Sequence, residues 1–306
     1  MVGGDRVRGR RSERAIVPPA ARPSASGGGH VSDLRPTGGG RAGPPFRGAY
    51  WLGGRQAVQA AMRHGRIRRL VVAAGATGLD ALWVAAAAAG VTTEQAPRSA
   101  LDRLVGTDAQ GCAALVDPIA PVDLEAHLRQ LPNGAPALLV ACDHLQDPHN
   151  LGAIARTAEA VGAVALIIPS HRAAGLSAGA ERSAAGALQS LPCAVVHNLT
   201  WALDRCRSAG FWTYGAALDG QVEFSQAAFA ARAVIVVGAE ARGLSPSVRR
   251  HCDVLVRLPM RGSVQSLNAA VAAGVLMYEW TRQIALVGRD PAKSSSGPSG
   301  GGPGRS

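Results

Sequence analysis

The chain is predicted to be an α/β protein, with a small N-terminal α/β unit followed by a larger domain built on a parallel sheet. Two observations carry this. From Ile67 onward, short apolar runs alternate with helical stretches, the pattern of parallel strands joined by helices. Three runs, Ala137–Ala141, Val234–Val237 and Val254–Arg257, lead into polar or Gly-rich loops. In an open parallel sheet such loops gather at the carboxyl ends of the strands, where ligands bind.

The elements follow in order. Residues 1–45 are rich in Gly, Pro, Ser and Arg and are expected to form a disordered tail, because they cannot bury enough apolar area to offset the entropy of ordering. Residues 46–118 form the small unit. It has an apolar entry and a Gly pair, a helix ending at Gly65, the strand "IRRLVVAAG" and the helix "LDALWVAAAAAG" capped by Gly90. The short strand "VTTEQAP", a helix whose N-cap would be Ser99 and the strand "GCAALVDP" complete it. Residues 119–136 read as a linker with a helix at Leu124–Gln130. The second domain, 137–288, alternates strands at Ala137–Ala141, Ala163–Ile168, Ala194–His197, Phe211–Ala216, Val234–Val237 and Val254–Arg257 with helices at Gly152–Val161, Ser183–Ser190, Leu199–Ser208, Pro246–His251 and Ser266–Arg282. Residues 289–306 repeat the tail composition.

Composition limits the function classes. A hydrophobic fraction of 47% fits a globular protein, and no apolar run is long enough to span a membrane. The net charge of +11 suits a polyanionic partner. The first 45 residues hold eight Arg against three acidic residues, so about half of the excess lies in the tail and the remainder is still basic. Arg supplies all of the basic charge except Lys293; it suits bidentate phosphate contacts, and a GC-rich genome produces the same bias. The five cysteines show no zinc spacing and are expected to be reduced thiols in a cytosolic protein. The Arg-rich N-terminus has a second reading as an organellar transit peptide, opposed by its Gly/Pro content. The histidines have no metal spacing, so no metal is expected. A dinucleotide fingerprint after the first strand and a phosphate-binding Walker loop are both absent from the sequence.

Three motifs remain. Asn150, Gly152 and Arg156 make Asn-x-Gly-x-x-x-Arg; Gly238, Glu240 and Gly243 make Gly-x-Glu-x-x-Gly; and Pro259, Met260 and Gly262 precede Ser266-Leu267-Asn268. In this order they resemble the three motifs of the SpoU (TrmH) family of RNA ribose 2′-O-methyltransferases, within the SPOUT superfamily. The resemblance extends to the small unit, which is similar to the family's substrate-binding domain: Trp51–Met62 follows one of its patterns and Ala109-Gln110-Gly111 stands where the family has His-Gln-Gly. The missing His removes any contact it would make.

The resemblance implies S-adenosylmethionine as cofactor, an RNA substrate, a trefoil knot at the C-terminal end and a homodimer. It assigns cofactor-binding main chain to Gly238, Leu258 and Leu267, the two leucines being otherwise plain core residues. It places Arg156 at the ribose 2′-hydroxyl as a possible base. A guanidinium rarely gives up its proton, so physical chemistry favours a role in holding the 2′-oxygen and the neighbouring phosphate. The alternative for Arg156 is a surface ion pair. Asn150 would orient Arg156 or the ribose, or cap its helix. Glu240 would fix its loop or meet Asn150 and Arg156, or remain a solvated turn carboxylate. Ser266 and Asn268 would reach a phosphate, the cofactor or free amides, with Ser266 the expected cap of the last helix. In "SAAGALQSLP", Gly186 and Ala187 read as packing residues and Ser183 as an RNA contact. A homodimer is also expected from the last helix, whose apolar residues Val271, Val275, Leu276, Met277 and Trp280 cover a wide arc.

The two-domain layout is most similar to bacterial enzymes that methylate a guanosine of 23S ribosomal RNA. A transfer-RNA methyltransferase, an antibiotic-resistance rRNA methyltransferase and a catalytically silent ribosome-assembly protein are the alternatives. The presence of Asn150, Arg156, Ser266 and Asn268 opposes the silent one.

Overall fold

The computed structural model describes residues 48–287 apart from 108, 172 and 241, so the tails expected at 1–45 and 289–306 lie outside the described residues. The first strand is β1 (Tyr50–Gly53), where the sequence suggested only an apolar entry. It is followed by α1 (Arg55–Arg63), β2 (Ile67–Ala73), α2 (Asp80–Ala88), β3 (Thr92–Ala96), α3 (Arg98–Val105) and β4 (Cys112–Val116). The sheet order is β1-β4-β2-β3; β4 runs antiparallel to both neighbours, and β2 and β3 are parallel. Successive residues of β2 point to opposite faces. Leu70 and Val72 pack with α1 and α2, while Val71 and Ala73 pack with Leu101 of α3. Ser99 is not the cap of α3: the helix starts at Arg98 after an extended Pro97.

After α4 (Leu124–Gln130), the chain forms β5 (Ala137–Asp143), α5 (Pro148–Ala160), β6 (Ala165–Pro169), α6 (Ala178–Ala184), α7 (Ala187–Ser190), β7 (Cys193–Val196), α8 (Leu199–Ser208), β8 (Trp212–Ala216), β9 (Val222–Glu223), β10 (Arg232–Gly238), α9 (Pro246–His251), β11 (Val254–Arg257) and α10 (Ala269–Val287). The seven strands form one parallel sheet in the order β7-β6-β5-β10-β8-β11-β9. Every residue of β5 is buried, as a strand covered on both faces must be. Leu138 and Val140 join α5 and α10 on one side; Leu139 and Ala141 join α4, α8 and α9 on the other.

Most strand ends shift from expectation by one or two residues, and three helical segments differ for a local reason. α5 starts at Pro148 rather than Gly152, because Asp147 caps it by accepting from the His149 amide at 2.9 Å and Pro148 occupies the first turn. Asn150 is therefore inside the helix and is not its cap. α10 starts at Ala269, capped by Asn268, whose Oδ1 accepts from the Ala270 amide at 2.9 Å; Ser266 lies in the preceding loop. The segment Ser183–Ser190 is not one helix. Left-handed Ala185 (φ 50°) and Gly186 (φ 97°) divide it, and a Cβ on Gly186 would lie 2.7 Å from the Ala60 methyl of α1. The strand β9 has two residues, too few to show a period.

Candidate active site

The sheet order places β5, β10, β8 and β11 side by side, so their carboxyl-end loops share one edge. All three motifs sit on these loops: the first opens α5 after β5, and the second follows β10. The third joins β11 to α10. Asn150, 8% exposed, donates from Nδ2 to Glu240 Oε1 at 3.1 Å and accepts from Asn268 Nδ2 at 2.8 Å. Asn268 also donates to Glu240. One residue from each motif thus meets in a polar triangle, although 118 residues separate Asn150 from Asn268 along the chain. Asn268 spends its oxygen on the helix cap and its amide on the triangle, so the start of α10 is tied to the start of α5.

Beside the triangle lies a cleft of about 270 Å³. Gly238, Leu258 and Leu267 line it together with Glu240 and Ser266. The two leucines are half-buried wall residues, not closed core. The glycine requirement at 238 is steric: a Cβ there would lie 2.1 Å from the Gly243 carbonyl oxygen, because the loop folds back through an Ala239–Gly243 bridge with Gly243 at φ 61°. The cleft fits S-adenosylmethionine in character. Val237, Leu244, Leu258 and Leu267 supply apolar walls for an adenine, the closely approached backbone at Gly238 supplies main-chain polar groups, and the Glu240 carboxylate stands at the wall, while Asp219 there is paired with Arg249.

Arg156 stands elsewhere. It is the ninth residue of α5, in mid-helix. Six residues of helix carry it about 9 Å along the axis and about a third of a turn around from Asn150. It is exposed, and among the described residues it has neither an ion pair nor a hydrogen bond to a side chain, so it is not engaged in the surface ion pair that was its alternative. Ser183 donates to the His149 carbonyl at 2.9 Å, which ties α6 to the first turn of α5.

Sequence reading missed several contributors. Leu218, Asp219 and Arg249 line the cleft, and the Arg249 guanidinium contacts both Asp219 oxygens at 2.7 and 2.8 Å. That hydrogen bond, first among its causes, holds the Asp219 carboxyl below its usual range. The signal available was positional: the 216–220 loop follows β8, a neighbour of β10. Asp143, 1% exposed at the end of β5, accepts from the Ser245 amide at 2.6 Å and from His144, clamping the second motif loop to the sheet. The cysteines are mostly buried, and burial pushes the Cys112 thiol up to about 11 and Cys206 to about 12, so neither offers a thiolate nucleophile at neutral pH. Among the described residues, there is no helix long and apolar enough to cross a membrane and no cluster of three metal-ligating side chains.

Residues 137–278 match the model of the SpoU rRNA methylase family, and residues 51–122 match that of the RNA 2′-O ribose methyltransferase substrate-binding domain. The chain belongs to the SpoU rRNA methylase family, whose members are RNA 2′-O-ribose methyltransferases dependent on S-adenosylmethionine. Among its relatives is the 23S rRNA (guanosine-2′-O-)-methyltransferase RlmB of Pseudomonas syringae, 39% identical over 236 residues, covering 75% of this chain and 94% of the relative. The RlmB of Pseudomonas aeruginosa is 37% identical over 236 residues, covering 75% and 95%. The fold is similar to the crystal structure of the SpoU methyltransferase AviRb from Streptomyces viridochromogenes in complex with AdoMet, with a TM-score of 0.64 and 30% identity over 78% of this chain and 91% of that one.

Proposed function

We propose that this protein transfers a methyl group from S-adenosylmethionine to the 2′-oxygen of a guanosine in 23S ribosomal RNA, acting as a homodimer in the cytoplasm. The observation that carries the reading is the meeting of Asn150, Glu240 and Asn268 beside the cleft that Gly238, Leu258 and Leu267 line. The guanosine target is supported by the RlmB relatives, which the chain spans almost completely.

Bound in the cleft, S-adenosylmethionine would supply an electrophilic methyl on a sulfonium. The chain supplies the rest. Gly238, Leu258 and Leu267 hold the nucleoside moiety through main chain and apolar contact. Asn150 and Asn268, each fixed by the triangle, set the depth to which a ribose enters. Ser266, exposed at the cleft, offers a hydroxyl to a phosphate or to the cofactor. Arg156 keeps its own proton and would stabilise the 2′-oxygen as the hydroxyl proton passes to water and negative charge develops on that oxygen.

The dimer explains where Arg156 acts. Val271 (51% exposed) and Tyr278 (58% exposed) lie on the outer side of α10, while Leu276, Met277 and Trp280 fill the core on the other side. A groove lined by Ala153, Thr157, Val271, Gly274, Val275 and Tyr278 runs between α5 and α10, next to Arg156 in sequence. A partner covering this groove would lie beside Arg156, which follows Ala153 by about one turn of α5. The C-terminal trefoil knot expected of the family belongs to the same reading. It is supported by the insertion of β10 between β5 and β8 and by the close approach of Gly220 to the Leu255–Arg257 backbone.

The test is incubation of the full chain with methyl-labelled cofactor and separated unmethylated 23S, 16S and transfer RNAs, followed by mapping of 2′-O-methyl positions. A guanosine in 23S RNA is expected; label confined to transfer RNA would overturn the substrate. Light scattering at micromolar concentration is expected to give a dimer mass for the wild type and a monomer mass for Val271→Glu/Tyr278→Glu. A monomeric wild type removes the dimer from the reading.

A further inference from the structure

The small domain meets the catalytic domain through α6, and a buried carboxyl sits at the meeting point. Glu181, 1% exposed, lies in the middle of this helix. Its carboxyl accepts from Arg66 Nη1 at 3.0 Å and Nη2 at 3.2 Å, from the Tyr50 hydroxyl and from the Gln189 amide. Tyr50 and Arg66 belong to the small domain; Gln189 and Glu181 belong to the catalytic domain. Arg66 also donates from Nε to the Asp117 carbonyl at 2.8 Å, just after β4 where the chain leaves the small domain. One guanidinium therefore grips the catalytic helix and the linker exit together.

The helix that carries Glu181 is pressed against the first motif. A Cβ on Gly152 would stand 2.4 Å from the Ser183 Cβ and 2.5 Å from the Ala180 carbonyl oxygen, so α5 and α6 touch backbone to backbone there. On the opposite side Ala178 packs against the small-domain core and Gly186 against Ala60. The mechanical path from small domain to Asn150 runs through α6, with α7 packed beside it against α1 and α5. A buried polar cluster adds little net stability over an apolar one of the same shape, but its fixed donor and acceptor geometry admits few alternative arrangements.

We infer that Glu181, Arg66, Tyr50 and Gln189 form a positioning cluster that holds the small domain at one orientation on α6, so that an RNA gripped by that domain is delivered to the Asn150–Asn268 site. The inference rests on the RNA-methyltransferase reading for its kinetic consequence, but not for the orientation itself. Two binding elements held in register act on one RNA at a high effective concentration, and that advantage is lost when the domains reorient freely. The cluster then acts on RNA capture and not on the chemical step.

The test uses the full chain as Arg66→Met/Glu181→Met, which replaces both buried polar partners by apolar groups, and as Glu181→Gln. For the double variant we expect unchanged cofactor affinity, kcat at saturating 23S RNA within about twofold of wild type and KM for that RNA raised about tenfold or more. X-ray scattering should show a larger radius of gyration. Glu181→Gln should move both quantities in the same direction by less. Wild-type KM and an unchanged scattering curve in the folded double variant overturn the inference. So does a double variant that fails to fold while Glu181→Gln keeps wild-type KM, since the cluster is then structural only. A wild-type chain that methylates no RNA defeats the proposed function instead, and scattering still decides whether the cluster holds the domains.

Discussion

Arg156 and Asn150 belong to one motif yet serve different surroundings. Asn150 is buried in the triangle with Glu240 and Asn268, whereas Arg156 stands exposed farther along α5. Arg156→Ala should therefore leave the fold and cofactor affinity unchanged while lowering the single-turnover rate by about a hundredfold or more, the scale of losing one oxyanion-type donor. A near wild-type rate would remove Arg156 from the mechanism. Glycines can be ranked in the same way. Gly238→Ala drives a methyl into the Gly243 carbonyl, so the loop must move and the cleft with it. Gly262 has no atom within 4 Å of a built Cβ. Calorimetric titration with S-adenosylmethionine should show binding weakened by about 1–3 kcal/mol for Gly238→Ala, the cost of forcing a group into packed structure, and no comparable loss for Gly262→Ala.

Between elements, the closest approach is the α5–α6 crossing at Gly152. No rotamer relieves a Cβ contact with the Ala180 carbonyl, because both sides are backbone or its first side-chain carbon. Gly152→Ala should destabilise the protein by about 1–3 kcal/mol in spite of the better helix propensity of Ala, since overpacking outweighs the gain of about 1 kcal/mol from removing a helical glycine. Chemical denaturation monitored by circular dichroism measures the sign directly. A stabilised variant would mean that α6 shifts without resistance, and the mechanical path from the small domain to Asn150 would lose its stiffest link.

Across the two domains, the Glu181 carboxyl makes stability depend on pH. Burial pushes it up to about 8, against the pull of the Gln189 hydrogen bond, while burial lowers Arg66 to about 10, so Arg66 stays charged through neutral pH. An unfolded Glu titrates near 4.3. Between about 4.3 and 8 the folded state holds a proton that the unfolded state has released, so the unfolded state binds fewer protons and stability falls as pH rises through that window. Below it both states are protonated, and above it both are ionised, so the contribution is flat on either side. Glu181→Gln, which cannot titrate, should remove this component of the slope between pH 5 and 8 in thermal melts. An identical slope in the variant would show that Glu181 is ionised throughout, held by its four donors.

Local chemistry made much of the chain legible before any coordinates. The helices Leu124–Gln130, Leu199–Ser208 and Pro246–His251 and the strand Val254–Arg257 have the same limits in sequence and structure, because caps, glycines and prolines act on nearest neighbours. The three motifs marked Gly238, Leu258 and Leu267, which line one cleft, and Asn150, Glu240 and Asn268, which meet beside it. Local pattern failed where a long-range partner sets the answer. Ser266 and Asn268 are both good caps, and only the pairing of Asn268 with Asn150 and Glu240 shows which one starts α10. Asp219, Arg249 and Asp143 carry no motif and acquire their places from strand order. Glu181 and Arg66 are ordinary surface-type residues in one dimension, 115 positions apart. Their burial exists because the small domain and α6 of the catalytic domain close over them, and a window of neighbouring residues contains no trace of that closure.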